Sequence, residues 1–290
     1  MSDDIVIENE RLAVAVSPLG AETRTITGRD GREWLWDGDP AYWTGRAPIL
    51  FPIVGKAPDN RVTIEGMAFP MQQHGFARKS VFALEDSAPS SCRFRLDPTD
   101  ETRLAYPFEF SLSITHALSD ATLTVTAEVE NRDDRPMPFG FGFHPAFRWP
   151  MPGLTRGHVH HIALANRAAP AMIRLRDGLL DLTPLASPFA EGLLALDHDY
   201  FEEDAMIFPE GAGDRLSLSA EDGPSLHFRF ENLPNLALWT KPGAPYICVE
   251  PWHGMAAAHG KGPAIEDRPF TVTLPAGKSA RFGWSVTIDG

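Results

Sequence analysis

Short strand-like segments recur along nearly the whole chain, and they constrain its fold more than any other feature. In each segment apolar residues alternate with polar ones, which is the pattern of a half-buried β-strand. Turns rich in Gly, Pro, Asp and Asn separate the segments, and Asp30-Gly31 is a typical hairpin signal. The segments lie at residues 11–17, 22–36, 80–84, 92–96, 108–118, 122–130, 216–220, 226–230, 236–240, 246–249, 270–274 and 279–288. The pattern predicts an all-β protein, a large antiparallel β-sandwich.

Helix signals are weak by comparison. Only residues 41–42 and 187–194 have the composition of short helical pieces. The chain has 290 residues, which is long for an average domain but common for an all-β one. Because no internal repeat, low-complexity segment or long linker divides the chain, we expect one domain over residues 1–290.

The balance of charges argues against several classes of partner. With 26 Lys and Arg against 39 Asp and Glu, the formal net charge is −13, which repels nucleic acid and anionic membranes. No run approaches the ~18 apolar residues of a membrane span, and the acidic start lacks the regions of a signal peptide, so a cytoplasmic location is expected. Cys92 and Cys248 are expected to be buried thiols and not a disulfide. A neutral or locally bound substrate fits this composition better, since local basic pockets can survive in an acidic protein.

The stretch at residues 137–147 combines a histidine with apolar residues and glycines. Phenylalanines occupy alternate positions in it, which predicts a buried strand: Phe139, Phe141 and Phe143. Gly140 and Gly142 leave room on the opposite face, where a ligand is a candidate occupant. Pro145 restricts His144 to an extended conformation, so its imidazole is aimed and is a candidate acid or base. The alternative is a core histidine that a backbone carbonyl satisfies.

Two further segments place ionisable residues among aromatic residues and glycines. Residues 72–78 contain His74 and follow the apolar stretch at 48–56. Residues 246–254 contain Glu250, which follows four strand-favouring residues and precedes a proline, so it is predicted to end an interior strand. Burial there would raise its pKa. The alternative for Glu250 is a strand-end carboxylate that caps a neighbouring loop.

Together these segments resemble a known family. Gln-His-Gly-Phe-Ala-Arg at 73–78, Gly-Phe-His-Pro-Ala-Phe at 142–147 and Glu-Pro-Trp at 250–252 are similar to motifs of the aldose 1-epimerase (galactose mutarotase) family. The similarity is greatest to its shorter bacterial branch, which is related to the glucose-6-phosphate 1-epimerases. The motifs occur in the family order and the likeness covers nearly the whole chain. The resemblance implies a galactose mutarotase-like β-supersandwich with a sugar cleft, no metal and no organic cofactor.

The resemblance also implies three catalytic residues. Glu250 is the general base that takes the proton from the anomeric hydroxyl, and His144 is the acid that protonates the ring oxygen. His74 corresponds to the second histidine, which hydrogen-bonds sugar oxygens. Opening a hemiacetal ring moves one proton off O1 and another onto O5, so one acid and one base are required, each worth about 10²–10⁴-fold.

Several other residues are expected to bind the sugar. Arg78 and Gln73 belong to the first motif, and the Arg78 guanidinium suits hydroxyls or a phosphate, which leaves free and phosphorylated sugars both open. The remaining candidates are Lys56, Arg61, Asp204 and Trp252. Asp204 is the last acidic residue before an apolar strand, and it has competitors in the same loop: Asp197, Asp199, Glu202 and Glu203. Trp252 suits either sugar stacking or core packing.

Three alternatives remain open at this stage. His158, His160 and His161 invite a metal site, but no Cys or His spacing elsewhere completes a zinc pattern, so exposed loop histidines are the expected explanation. A carbohydrate-binding or sugar-sensing protein is the main functional alternative, although binding alone needs no acid–base pair. A glycoside hydrolase or lyase would usually want two carboxylates. We expect a monomer or a homodimer.

Overall fold

The computed structural model describes residues 4–290, and this part of the chain is almost entirely β-structure. Its strands are β1 (Ile5–Glu8), β2 (Leu12–Ser17), β3 (Glu22–Gly28), β4 (Ile49–Leu50), β5 (Arg61–Ile64), β6 (Met67–Pro70), β7 (Ala83–Ala88), β8 (Ser91–Leu96), β9 (Phe110–Ser119), β10 (Thr122–Asn131), β11 (Met137–Phe139), β12 (Phe141–Phe143), β13 (Ala146–Arg148), β14 (His160–Leu164), β15 (Met172–Arg176), β16 (Leu179–Leu185), β17 (Leu193–Ala195), β18 (Met206–Phe208), β19 (Arg215–Ala220), β20 (Ser225–Glu231), β21 (Asn235–Trp239), β22 (Tyr246–His253), β23 (Val272–Leu274) and β24 (Ser279–Asp289). The helices are α1 (Asp100–Arg103) and the 3₁₀ turns Pro58–Asn60, Ala77–Lys79 and His198–Phe201.

Two large antiparallel sheets dominate the fold. The nine-stranded sheet has the order β17-β14-β19-β20-β24-β10-β9-β8-β7. The eight-stranded sheet has the order β16-β15-β18-β21-β22-β12-β4, with β13 also paired to β22. Smaller sheets are β1-β2-β3, β11-β23 and β5-β6. This architecture confirms the prediction of an all-β antiparallel sandwich. No helix within residues 4–290 is long and apolar enough to cross a membrane.

Aromatic side chains fill the space between the two large sheets. Phe141 on β12 stacks on Phe282 of β24, with ring centroids 5.0 Å apart. Phe147 on β13 meets Phe228 of β20 edge-on at 5.0 Å. Phe139, like Phe141, is fully buried, as the alternation of residues 137–147 predicts. The predicted strand is however broken at Gly140, because β11 pairs with β23 whereas β12 pairs with β22 and β4.

Both predicted helical pieces are wrong. At residues 40–42 the chain forms a turn in which Asp39 accepts bonds from the following N–H groups, including that of Ala41 at 2.9 Å. Residues 187–194 form a tight hairpin in which Ala190 and Leu193 exchange backbone hydrogen bonds. Glu191 and Gly192 take the left-handed conformation at its tip, so the segment leads into β17. In the first segment, hydrogen bonds to Asp39 outweigh a weak helix preference. In the second, the positive φ angles of Glu191 and Gly192 favour a turn.

The two cysteines are free and buried, as predicted. The turn at Asp30-Gly31 is also present, with Gly31 at φ 81 and its N–H bonded to the Gly28 carbonyl at 2.9 Å. After the turn the chain makes only a single bridge, Thr27 to Glu33, and then leaves β3.

Replacing His116 by Phe is expected to reduce the loss of stability in acid. His116 lies in β9, is 1% exposed, and burial lowers its pKa to about 3. Between that value and the ordinary ~6.5 only the unfolded chain binds this proton, so the free energy of unfolding falls as the pH falls. Removing the imidazole should remove roughly 1.4 kcal/mol of that loss per pH unit. Urea denaturation at pH 7 and pH 4.5 measures the difference.

The matched control for this change is His227→Phe, because His227 is exposed on β20 of the same sheet. The control should lose stability in acid as wild type does. If His116→Phe also follows wild type, the buried imidazole is not neutral in the folded state.

Candidate active site

A gap in the eight-stranded sheet creates the site. β12 pairs with Trp252 and His253 of β22, and β13 pairs with the segment from Tyr246 to Cys248. Between them, the bond that this edge of β22 makes to other residues of the described range 4–290 is that from the Val249 N–H to the Pro145 carbonyl, at 3.1 Å. Pro145 and Pro251 have no N–H to pair, so both fit the gap.

Glu250 occupies the middle of β22, which corrects the prediction that it ends a strand. β22 continues through Pro251 to His253, and Glu250 lies opposite Ala237 of β21. The proline does not end the strand because neither β12 nor β13 pairs with it. Glu250 is 2% exposed.

His144 and Glu250 meet inside this gap. The distance from His144 Nε2 to Glu250 Oε2 is 3.1 Å, and both side chains are buried. Burial raises the pKa of Glu250 well above its usual range, and the charge of Asp204 adds to that rise. Burial lowers the pKa of His144 to about 3. The pair therefore shares one exchangeable proton over a wide pH range.

His74 faces the same pair from a tight turn. Its backbone is left-handed, with φ 66, and its N–H donates to the Gly55 carbonyl at 2.9 Å. The Gly55 N–H donates to His74 Nδ1 at 3.0 Å, so the neutral ring carries its hydrogen on Nε2. Burial, followed by the charges of His144 and Arg78, lowers the pKa of His74 well below its usual range. His74 is thus a hydrogen-bond donor through Nε2, which also lies 3.3 Å from the Gln73 side-chain amide nitrogen.

The cleft in front of these residues has a volume of about 300 Å³, within the range of small-ligand sites. The structure brings most of the predicted site residues to its walls: Gln73, His74, Arg78, His144, Asp204, Glu250 and Trp252. Their roles in binding and catalysis stay predictions.

Arg78 and Asp204 both line the cleft. Arg78 donates to the Gln73 carbonyl at 2.8 Å, and its buried Nε has no hydrogen-bond partner among the described residues. Asp204 has φ 68, and Arg174 donates to its carbonyl at 2.7 Å. Of the five acidic candidates in this loop, Asp204 is the one that lines the cleft. Asp197 instead caps a 3₁₀ turn by accepting the Asp199 N–H.

Lys56 and Arg61 lie outside the walls of the cleft. The Lys56 side chain packs on Gly178, a residue of the cleft wall, and its Nζ lies 3.4 Å from the Asp177 carbonyl. Arg61 is exposed on β5, opposite Pro70 of β6. The expectation that Arg61 lines the cleft is therefore wrong, because the 3₁₀ turn at Pro58–Asn60 carries the chain into a separate hairpin.

Two tryptophans of the site were missed by the sequence analysis. Trp43 packs against the His144 ring, with centroids 4.9 Å apart and an interplanar angle of 31°. Trp239 meets the same ring edge-on at 5.8 Å. The Trp36 indole N–H donates to the Trp43 carbonyl at 2.8 Å and anchors it. The concentration of tryptophans between Trp34 and Trp43 was the available signal.

Arg268 was also missed, and no sequence signal marks it. Arg268 is 6% exposed, and its guanidinium donates to the carbonyls of Val54, Lys56 and Met255 at 2.6, 3.3 and 3.0 Å. No ion pair of Arg268 occurs within residues 4–290, and burial lowers its pKa to about 10. It ties the segment beside His74 to the chain that follows β22.

Trp252, and not a ligand, occupies the space beside Gly142. A β-carbon on Gly142 would lie 2.5 Å from Trp252 Cδ1. Trp252 is 6% exposed, lines the cleft and packs in a cluster with Leu50 and Val54. Its indole Nε1 has no hydrogen-bond partner among the described residues. The expectation of a ligand against this glycine is therefore corrected.

Replacing Gly142 by Ala is expected to displace Trp252 from the cleft wall. The added methyl group cannot fit at 2.5 Å from the indole, so we expect a loss of about 1–3 kcal/mol in the free energy of unfolding. The matched control is Gly140→Ala, where the nearest atom is Val54 N at 3.4 Å. Urea denaturation and tryptophan fluorescence measure both effects. If Gly142→Ala and Gly140→Ala lose the same unfolding free energy and show the same fluorescence, Trp252 does not pack closely on Gly142.

The histidines at residues 158–161 do not form a metal-ligand group among residues 4–290, and His160 is a buried residue of β14 and not the exposed loop histidine that the sequence predicts. His160 Nε2 accepts the Met151 N–H at 3.1 Å, and its Nδ1 lies 2.9 Å from the His158 carbonyl. Both ring nitrogens are used by the backbone. His158 makes its own contacts with Thr155.

Known proteins match this chain over nearly its whole length. The family model for aldose 1-epimerase matches residues 3–279. The chromosomal protein LacX of Lactococcus lactis subsp. lactis is 32% identical over 300 residues, which cover 98% of this chain and 99% of LacX. A galactose mutarotase related enzyme from Lactobacillus acidophilus superimposes with a TM-score of 0.94 at 30% identity, over 99% of this chain and 97% of its own.

A galactose mutarotase-like protein from Lactobacillus casei superimposes with a TM-score of 0.91 at 29% identity, over 98% of this chain and 99% of its own. The family match spans the three motifs and every strand before β24. The chain therefore belongs to the aldose 1-epimerase family.

Proposed function

We propose that this protein is a mutarotase, which interconverts the α and β anomers of a hexose or a hexose phosphate. The observation that carries the proposal is the buried contact of 3.1 Å between His144 and Glu250 at the wall of the cleft. Family membership supports an epimerase acting on a sugar. The identity of the sugar is part of the proposal.

The proposed reaction uses the proton that the pair shares. Glu250 takes the proton of the O1 hydroxyl, and the O–H electrons form the C1=O1 double bond while the C1–O5 bond breaks. His144 gives its proton to O5, which leaves the open-chain aldehyde. Rotation about C1–C2 presents the other face, and the reverse transfers close the ring. The pair ends with the same total number of protons.

The remaining residues hold the sugar in the proposal. His74 donates from Nε2 to a ring or hydroxyl oxygen, and Arg78, Asp204 and Gln73 bind hydroxyl groups. Trp43 and Trp239 offer apolar ring faces to the C–H groups of the sugar. Water is displaced from the cleft, which strengthens the hydrogen bonds that remain.

The pH dependence of the reaction should be flat over an unusually wide range. On the acid side the rate falls when the pair takes a second proton, which the pKa of about 3 for His144 places well below pH 5. On the alkaline side it falls when the shared proton is lost, which the raised pKa of Glu250 moves upward. Rates at pH 5, 6, 7 and 8, corrected for the spontaneous reaction, test this. A bell centred near pH 6.5 would contradict it.

The direct test of the proposal is exchange NMR or polarimetry on freshly dissolved α-glucose, α-galactose and glucose 6-phosphate. Wild type should accelerate the approach to anomeric equilibrium for at least one of them. A preference for glucose 6-phosphate would indicate that Arg78 binds the phosphate. If no sugar is accelerated, yet the sugars shift the resonances of the protein, the carbohydrate-binding alternative replaces the proposal.

A further inference from the structure

A third metal-ligand side chain lies against the pair. Cys248 precedes Glu250 by two residues on β22, so both side chains project from the same face of the strand. The ligand atoms of His144, Cys248 and Glu250 all lie within 4.8 Å of one another, and all three residues are buried. We propose that these side chains form an inhibitory site for zinc, or for another borderline-soft divalent cation such as cobalt.

The donor set and spacing suit such an ion. Zinc binds thiolate sulfur at about 2.3 Å and imidazole or carboxylate donors at about 2.0–2.2 Å, so two ligand atoms on one ion lie roughly 3.3–3.8 Å apart. The nitrogen and oxygen of the pair, at 3.1 Å, need to separate slightly, and the sulfur needs to approach. Three protein ligands with a fourth open position is the arrangement of accessible zinc sites.

The fourth position faces the sugar cleft. His144 and Glu250 both line that cleft, so an ion between them reaches solvent or a sugar hydroxyl on that side. Cys248 itself does not line the cleft, and it packs in a cluster with Trp36 and Tyr246. Within residues 4–290 this is the only group of three such donors that converges so closely.

Cys248 has no place in the proposed sugar chemistry. Its thiol is not part of the cleft wall, and neither proton transfer requires it. A bound cation would take lone pairs from His144, Glu250 and the Cys248 thiolate, and it would release two protons to solvent: the one that the pair shares and the thiol proton. Neither residue would then exchange a proton with the sugar, so the ion should compete with substrate. This inhibition rests on the proposed function, whereas the binding itself does not.

Cobalt titration tests the binding without reference to activity. Wild type titrated with Co²⁺ should develop the near-ultraviolet thiolate-to-cobalt charge-transfer band. Cys248→Ala should lose the band, and Cys92→Ala should keep it, because Cys92 is the other buried thiol and lies on β8. Cys248→Ser is the second variant if the alanine protein is unstable. A band that persists without Cys248, or no band in wild type, would overturn the proposal.

Zinc inhibition tests the consequence. Zn²⁺ should slow mutarotation by wild type and by Cys92→Ala, and a chelator should restore the rate. Cys248→Ala should keep the basal activity and require at least about tenfold more zinc for the same inhibition. If zinc inhibits Cys248→Ala and Cys92→Ala at the same concentration, the proposed metal site is wrong. A cobalt band in a wild-type protein with no mutarotase activity would support the metal site and overturn the proposed function.

Discussion

Changing Glu250 to Gln is expected to slow catalysed mutarotation by roughly 10²–10⁴-fold, since that is the usual contribution of a positioned acid or base. The amide keeps the shape of the side chain but cannot take the O1 proton. Its neighbours, His144 at 3.1 Å and Ala237 on β21, remain in place. Exchange NMR at saturating sugar measures the change in kcat. A rate within a factor of about three of wild type would remove Glu250 from the role of base.

The same variant should keep the fold and gain relative stability at high pH. The folded-state pKa of Glu250 is raised above the ordinary value, so its contribution to stability is present below about pH 4.5 and is lost as the pH rises. Glutamine has no such loss. Urea denaturation at pH 5 and pH 8 should therefore favour Glu250→Gln over wild type more at pH 8. Lost activity without lost stability separates catalysis from folding.

Changing His144 to Gln is the second large effect that we expect, again roughly 10²–10⁴-fold in kcat. This change removes the group that gives O5 its proton, and it leaves Glu250 buried without its partner. Because the two residues share one proton, the variant that lacks both should be about as slow as the slower single variant. If the fold-losses in kcat of the two single variants instead multiply in the double variant, the two groups act independently.

His116→Gln is the matched control for His144→Gln. Both residues are buried histidines, 1% and 7% exposed, and burial lowers the pKa of each to about 3. His116 lies on β9 of the nine-stranded sheet and does not line the cleft. It should lose stability to a comparable extent and keep its kcat. A similar loss of kcat in both variants would mean that His144 acts only through folding.

The sequence was sufficient for the fold class and for much of the site. Alternation of apolar and polar residues is a local signal that survives folding, so Phe139, Phe141 and Phe143 are buried as predicted. The three family motifs converge on one cleft, with His74, His144 and Glu250 at its walls. A motif predicts a site residue well because it contains both the functional side chain and the neighbouring residues that set its backbone conformation.

Other features depend on contacts between distant segments, which local patterns do not encode. Glu250 lies in the middle of a strand because β12 and β13 leave a gap opposite it, and Gly142 is required because Trp252 packs on it. Arg61 was misplaced because its position depends on where a short hairpin points.

Periodicity and contiguous motifs are enough to predict the strand pattern, the buried phenylalanines and the catalytic candidates. Folding brings together groups that are distant along the chain: Trp43 on His144, Arg268 on the carbonyls beside His74, and Cys248 beside the pair. No local pattern predicts these contacts, because burial and hydrogen bonding depend on both of the surfaces that pack together. A residue far along the chain supplies half of each contact.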